Sequence, residues 1–141
     1  MKAIAGASPC PCGRLAQAKG QALTYAQCCG QWLEADALNG PFAPDAQTLM
    51  RSRYSAFVLE RAPYLLATWH PDRRPEQVEF VAGVRWLGLE VRSFQRTHAG
   101  SAEVEFVARQ KLPGSAAVRL HERSRFVQEA GRWMYLDGDT L

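Results

Sequence analysis

The stretch VRLHERSRF, residues 118–126, alternates between two kinds of side chain at every second position. Successive side chains of a β-strand point to opposite faces of the sheet. One face would carry Arg119, His121, Arg123 and Arg125, and the other would carry Val118, Leu120, Glu122, Ser124 and Phe126. The second face is the more apolar one. The stretch therefore predicts a strand with one face packed on other elements and one face in water.

Strand-like composition extends to both sides of this stretch. Residues 86–97, 102–112, 116–128 and 132–137 are rich in β-branched and aromatic side chains, and the breaks between them contain Gly100, Gly114 and Gly131. Connections this short favour consecutive antiparallel strands. The second half of the chain is predicted to be a four-stranded antiparallel meander.

Helical patterns precede the strands. Asp45 is a good N-cap for residues 46–60, where apolar side chains recur at helical spacing. A second helix is expected to open at Pro63 and to stop before His70, which precedes a proline. A short third helix is expected over residues 75–83. Helices followed by a sheet predict an α+β fold.

All four cysteines lie near the N-terminus, in CPCG at residues 10–13 and QCCG at residues 27–30. Zinc with four thiolate ligands holds its sulfurs roughly 3.8 Å apart, a separation that adjacent or next-but-one cysteines can reach. Cys10, Cys12, Cys28 and Cys29 are therefore predicted to bind zinc. The alternatives are two disulfides across the pairs, an iron–sulfur site, or unconnected free thiols.

Composition limits the class of protein. Hydrophobic residues make up 47% of the chain, and 17 basic against 14 acidic residues give a net charge of +3, which is weak support for binding to nucleic acid or the ribosome. No signal-peptide core or apolar run of transmembrane length is present. The chain is expected to be cytoplasmic and not inserted in a membrane, and a reducing compartment favours a metal site over disulfides.

Several stretches resemble a known family in the same order along the chain. They are YAQCCGQWL at residues 25–33, LMRSRYSAFVLER at 49–61, YLLATWHP at 64–71 and HERSRFV at 121–127. The chain resembles the bacterial YchJ family, whose members begin with the zinc-binding SEC-C motif. The resemblance implies a zinc module over residues 1–34 and a nuclear transport factor 2 (NTF2)-like domain over 45–141, with helices forming a cone against a curved sheet. Residues 35–44, which contain Asn-Gly-Pro, are the predicted linker. The resemblance implies no known reaction.

The interior of the cone is predicted to contain an unusual pair of charged residues. Glu122 lies on the apolar face of the third strand, and Arg53 lies between Leu49 and Phe57 on the apolar stripe of the first helix. A buried carboxylate needs a partner, so we expect Arg53 to pair with Glu122. The pair is either a structural ion pair or part of a ligand pocket. Around it, candidate pocket walls are Tyr54, Trp69, His70, Trp86, Ser124 and Trp133.

Two classes of function fit these features. One is a binding or adaptor protein whose zinc module presents Arg14, Lys19, Tyr25 and Trp32 to a protein partner, while the cone supports it or holds a ligand. The other is an enzyme of the isomerase or dehydratase type that uses Glu122 or His70 as a base. No Gly-rich phosphate loop, nucleophile elbow or dinucleotide fingerprint is present.

Overall fold

A single antiparallel sheet forms the second half of the chain. The computed structural model describes residues 1–141. Its four strands follow one another in space in the order β1-β2-β3-β4, as the short connections predicted. The strands are β1 Arg85–His98, β2 Ser101–Lys111, β3 Ala117–Glu129 and β4 Arg132–Thr140. The predicted α+β fold with a curved antiparallel sheet is confirmed.

Three helices precede the sheet: α1 Gly30–Leu33, α2 Ala46–Val58 and α3 Ala62–Ala67. The Asp45 side chain caps α2 by accepting a 2.7 Å hydrogen bond from the backbone N–H of Thr48. Pro63 lies in the first turn of α3, where its missing N–H costs nothing. No helix has both the length and the hydropathy to cross a bilayer.

The third predicted helix is wrong. Residues 75–83 contain no helix and lead directly into β1. The burial pattern is that of an extended chain: Val78 and Phe80 are half-buried while Glu79 and Val81 are exposed, a period of two rather than of 3.6. Phe80 packs edge-on against Phe57 of α2, with ring centroids 6.4 Å apart. This tertiary contact selects the extended form over the helix.

The predicted inner face of β3 is packed along only part of its length. Ser124 and Phe126 are buried, with exposed fractions of 2% and 1%, but Val118 and Leu120 remain 42% and 39% exposed. The helices are too short to cover the sheet: α2 has 13 residues and spans about 20 Å, whereas β3, also of 13 residues, spans about 43 Å. The uncovered end leaves the cone open.

The N-terminal segment shares one hydrophobic core with the rest of the protein. The four cysteines, Tyr25 and Leu33 belong to the same buried cluster as Leu49 and Phe126. Hydrogen bonds tie the segment to both ends of α2, from the Lys2 N–H to the Leu59 carbonyl oxygen at 2.9 Å, and from Arg14 Nη1 to Thr48 Oγ1 at 3.0 Å. Helix α2 is thus packed on the sheet and on the cysteine segment together.

Residues 35–44 connect the cysteine segment to α2 through a turn. The Gly40 N–H donates to the Asp36 carbonyl oxygen at 2.8 Å, and Asp36 Oδ1 accepts a 2.8 Å bond from the Leu38 N–H. The turn is docked rather than free, because Arg132 of β4 donates to the Ala37 carbonyl oxygen at 2.9 Å.

Candidate functional site

The four cysteine sulfurs form one compact group. Sγ–Sγ distances are 3.7 Å for Cys10–Cys12, 3.6 Å for Cys12–Cys28 and 4.0 Å for Cys28–Cys29. All four sulfurs lie within 4.8 Å of one another, and all four cysteines are buried and free of disulfides. These separations are close to the 3.8 Å or so expected between ligands of a tetrahedral metal with 2.3 Å metal–sulfur bonds. The cluster could therefore hold one metal ion.

Local backbone structure brings the two cysteine pairs together. Isolated bridges of Pro9 with Thr24 and of Leu15 with Ala22 fold residues 9–24 back on themselves. The carbonyl oxygen of Tyr25 then accepts hydrogen bonds from the N–H groups of Cys28, at 3.1 Å, and Gly30, at 2.8 Å. A Cβ atom at Gly30 would lie 2.6 Å from that oxygen, so the tight turn after the second pair requires glycine.

The electrostatics of the cluster favour a bound cation. The pKa of Cys10 is lowered by hydrogen bonds from the neighbouring thiols, of which Cys12 contributes most. The pKa values of Cys28 and Cys29 are raised, and the largest cause for both is the hydrogen bond to Cys10. Four thiols this close cannot all ionise without positive charge among them. Part of that charge comes from Arg51, whose Nη1 lies 3.2 Å from the Cys12 carbonyl oxygen and 3.9 Å from Cys12 Sγ. A coordinated metal ion would supply the rest.

A second candidate site is a cavity of about 310 Å³ between α2 and the inner face of the sheet. Ten of its 13 lining residues are hydrophobic. Six of the predicted pocket residues are brought together there: Arg53, Tyr54, Trp69, Trp86, Glu122 and Ser124. The other lining residues are Met50, Phe57, Phe106, Ala108, Leu120, Phe126 and Tyr135. Leu120 lies at the uncovered end of the sheet and is the most exposed apolar residue in a position to bound the mouth of the cavity.

Arg53 is the buried cation of the cavity, with 6% of its surface exposed. Its Nη1 donates to the Leu65 carbonyl oxygen at 2.8 Å and to Thr68 Oγ1 at 2.7 Å. Its guanidinium carbon lies 5.0 Å from the ring centroid of Trp69 and 4.6 Å from that of Tyr135. Burial lowers the pKa of Arg53 to about 10, so the group is still charged at neutral pH.

The expected contact between Arg53 and Glu122 is absent: no ion pair within 4.0 Å joins them. Arg53 turns instead toward α3 and the aromatic rings. No hydrogen-bond donor of the protein reaches the Glu122 carboxyl group. Burial raises the pKa of Glu122, while the nearby charge of Arg53 acts in the opposite direction. Glu122 Oε1 lies so close to Gly138 that a Cβ atom there would be 2.5 Å away. Glycine at 138 therefore makes room for the carboxyl group.

Two predicted pocket residues lie elsewhere. His70 is buried at the end of α3, where Nε2 lies 2.6 Å from Glu129 Oε1 and Nδ1 accepts a bond from the Asp72 N–H at 3.2 Å. This places the proton of the neutral ring on Nε2, in a structural bond between the loop after α3 and the end of β3. Trp133 lines a separate crevice beside Phe42 and Arg132.

The predicted contact surface of the N-terminal segment also needs correction. Tyr25 is only 2% exposed and donates a 2.7 Å hydrogen bond to Glu34 Oε2. It is part of the core and is not available to a partner. Lys19 is exposed and Trp32 is half-buried, while Arg14 is held by its bond to Thr48.

Beyond the apolar lining, sequence reasoning missed three residues that contact the two charged groups. Tyr135 stacks on Arg53, Thr68 accepts its hydrogen bond, and Gly138 accommodates Glu122. A sequence signal for Tyr135 exists, because this residue of β4 pairs with Phe126 of β3 and therefore lies on the same face of the sheet. Thr68 and Gly138 gave no signal, since their roles depend on distances between elements.

The fold and the cysteine cluster together define an NTF2-like protein that begins with a SEC-C-type cysteine motif. A family model described as the YchJ middle NTF2-like domain matches residues 45–138. A UPF0225 protein of Polaromonas sp. (strain JS666) is 66% identical over 131 residues, covering 93% of this chain and 92% of the relative. A UPF0225 protein of Bordetella pertussis is 53% identical over 131 residues, covering 92% and 91%. The chain belongs to the YchJ family.

Two solved structures share the fold over most of the chain. The crystal structure of a SEC-C motif containing protein from Psychrobacter arcticus matches with a TM-score of 0.76 at 30% identity, covering 94% of this chain and 82% of that one. The solution structure of a SEC-C motif containing protein from Rhodopseudomonas palustris matches with a TM-score of 0.72 at 31% identity, covering 86% and 95%. The predicted family is confirmed.

Proposed function

We propose that this protein binds a small, largely apolar molecule in the cavity between α2 and the sheet. The observation that carries the proposal is the state of its two charged groups. Glu122 has no protein partner, and Arg53 uses only one of its three nitrogens in hydrogen bonds to the protein. Buried polar groups in native proteins are nearly always satisfied, so groups left free at a cavity wall suggest a ligand.

The shape of the cavity supports the same function. A volume of about 310 Å³ is at the lower end of the range for small-molecule sites. Aromatic rings supply most of the wall, with Tyr54 and Trp86 edge-on at 5.5 Å. Such walls favour a flat or apolar molecule, and the two charged groups would orient it.

A catalytic use of the cavity, by an isomerase or dehydratase type of reaction, would depend on Glu122. A carboxyl group with a raised pKa in an apolar cavity can act as a general acid or base. His70 does not support this role, because both of its ring nitrogens are engaged outside the cavity. Binding is the function that the geometry favours, and catalysis is the alternative built on the same site.

For the cysteine cluster we infer a structural zinc site. Four thiolates are a donor set typical of zinc, and a closed tetrahedron leaves no position for a catalytic water. Zinc would add its binding energy to folding and hold residues 9–29 against α2. Four reduced thiols also fit the proposed cytoplasmic location.

Binding in the cavity can be tested with a matched pair of variants on β3. Leu120→Trp places a large ring at the cavity mouth, whereas Arg119→Trp adds the same ring on the exposed opposite face of the strand. We expect small aromatic molecules found by ligand-observed NMR to bind the native protein and the Arg119 variant. They should bind the Leu120 variant at least tenfold more weakly, because the larger ring takes up space in the cavity. Equal binding to all three proteins would contradict the proposal.

Contact with a protein partner through the N-terminal segment is the second candidate function. It is supported by a groove beside Cys28 that is lined by Trp32, Arg14 and Arg51. Deleting residues 1–34 would be a poor test, since it would uncover α2. Affinity capture should instead compare the native protein with a Lys19→Glu, Trp32→Ala variant, which changes the surface and keeps the cysteines. A protein retained by the native chain and lost by the variant is the expected result, and identical captures would contradict the role.

A further inference from the structure

The cavity has a buried cation without a matching anion. Arg53 carries five N–H groups, and its hydrogen bonds to the protein, to Leu65 and Thr68, both start from Nη1. The donors on Nε and Nη2 have no protein acceptor. Both Nη1 acceptors are neutral oxygens, so nothing bonded to Arg53 balances its charge. A buried guanidinium is normally paired with a carboxylate or phosphate.

Glu122 is the acidic residue of the cavity wall, but no direct ion pair joins it to Arg53. The two groups are more than 4.0 Å apart, and Glu122 is held over Gly138 on the neighbouring strand. The charged or titratable groups around Glu122 are Arg53 on α2, and Tyr135 and Asp139 on β4. The facing residue of β2 is Phe106, which carries no charge. When Glu122 is protonated, the wall therefore has a net charge of +1.

The rest of the cavity wall limits the charge and the chemical class of the anion. It is apolar and aromatic, and its volume of about 310 Å³ equals that of roughly ten water molecules. A phosphate ester of useful size would bring a second negative charge into this apolar space, at a high desolvation cost. A single planar carboxylate matches the fork of the guanidinium group and brings one charge only.

We propose that the ligand of the cavity is an apolar monocarboxylate whose carboxylate pairs with the free N–H groups of Arg53. The proposal rests on the ligand-binding function proposed above and names its substrate class. The apolar part of the ligand lies among Trp86, Phe57 and Leu120, toward the mouth of the cavity. Ionised Glu122 repels the bound carboxylate, so binding is strongest while Glu122 is protonated.

Three probes of the same shape test the ligand class: 3-phenylpropionate, its neutral amide 3-phenylpropionamide, and the cation phenethylamine. Binding to the native full-length protein is measured by titration calorimetry at pH 6. We expect the carboxylate to bind about tenfold or more tightly than the amide, the usual gain from a hydrogen bond to a charged group, and the amine to bind most weakly.

The outcomes separate the two proposals. If the amide or the amine binds as tightly as the carboxylate, the ligand class is wrong while binding in the cavity stands. If none of the three probes binds, and small aromatics bind equally to the Leu120→Trp and Arg119→Trp variants, the proposed function fails as well.

Glu122→Gln provides a second test that leaves Arg53 and its structural bonds in place. In the native protein the affinity for 3-phenylpropionate is expected to fall as the pH rises through the raised pKa of Glu122, because Glu122 ionises. In the variant the affinity should stay level within about twofold, since glutamine does not titrate. A variant with the same decline as the native protein would overturn the roles given to Arg53 and Glu122.

Discussion

Replacing Arg53 by Met would test how the buried guanidinium holds the helices together. Arg53 lies on α2, and its two hydrogen bonds reach the end of α3, to the Leu65 carbonyl oxygen and to Thr68 Oγ1. Its guanidinium group also lies against the rings of Trp69 and Tyr135. Methionine keeps much of the length of the side chain and its apolar packing, and removes all of these polar contacts.

The magnitude follows from these contacts. Hydrogen bonds to a charged group contribute about 1.5–3 kcal/mol each, which gives roughly 3–6 kcal/mol for the two. Desolvated stacking on aromatic rings adds about 2 kcal/mol. Removing a buried charge recovers several kcal/mol of desolvation. The net expected loss is about 2–4 kcal/mol in the free energy of unfolding, a large part of the stability of a domain.

Urea denaturation of single and double variants distinguishes the partners of Arg53. Because Thr68 is 2.7 Å from Arg53, the cycle of Arg53→Met with Thr68→Val should give a coupling of about 1–2 kcal/mol. The cycle of Arg53→Met with Glu122→Gln should give a smaller coupling, since no direct contact joins these two side chains. Arg119→Met, an exposed arginine without a partner, is the control and should cost under about 0.5 kcal/mol. A coupling with Glu122 equal to or larger than that with Thr68 would refute this account.

Three further predictions concern the metal, pH and backbone packing. Elemental analysis should find about one zinc per chain, and the Cys28→Ser variant should contain none. Chelation should remove the protection of backbone amides from hydrogen exchange in residues 1–34 and in the sheet together, because they share one core. A sheet that stays protected would show two independent units. Between pH 4.5 and the raised pKa of Glu122 the folded state binds more protons than the unfolded state, so the free energy of unfolding should fall as the pH rises. Glu122→Gln should remove that slope in denaturation curves, and an unchanged slope would assign it to other groups. Gly30→Ala should cost about 1–3 kcal/mol by crowding the Tyr25 carbonyl oxygen, and a thermal midpoint within error of the native value would contradict this packing.

The elements of the fold with strong local patterns were predictable. The meander of four strands followed from strand-like runs separated by short glycine-containing breaks, and α2 followed from its N-cap and apolar spacing. The structure of residues 75–83 was not predictable from local sequence. A proline, several good helix formers and a glycine suggest a helix there, while the contact of Phe80 with Phe57 favours an extended chain. Local propensity is worth a few tenths of a kcal/mol per residue, and burial of an aromatic ring outweighs it.

Parts of the two candidate sites were likewise predictable from the sequence, and other parts were not. The spacing of the cysteines predicted one cluster, and the structure has their sulfurs within 4.8 Å of one another, because short bent segments limit where neighbouring thiols can go. Alternation along β3 and the phase of α2 placed Glu122 and Arg53 on inward faces, and both line the cavity. His70 and Trp133 were assigned to the cavity by residue type alone, and both lie outside it.

Which side chains face inward and which cysteines meet can be read from the chain, since these depend on the period of a strand or helix and on short chain lengths. Whether Arg53 and Glu122 touch cannot be read in this way. That depends on the distance between α2 and the sheet and on the room that Gly138 leaves beside Glu122, neither of which is encoded in any local stretch. The open end of the cone has the same origin, because a 13-residue helix is about half as long as a 13-residue strand and leaves Leu120 uncovered.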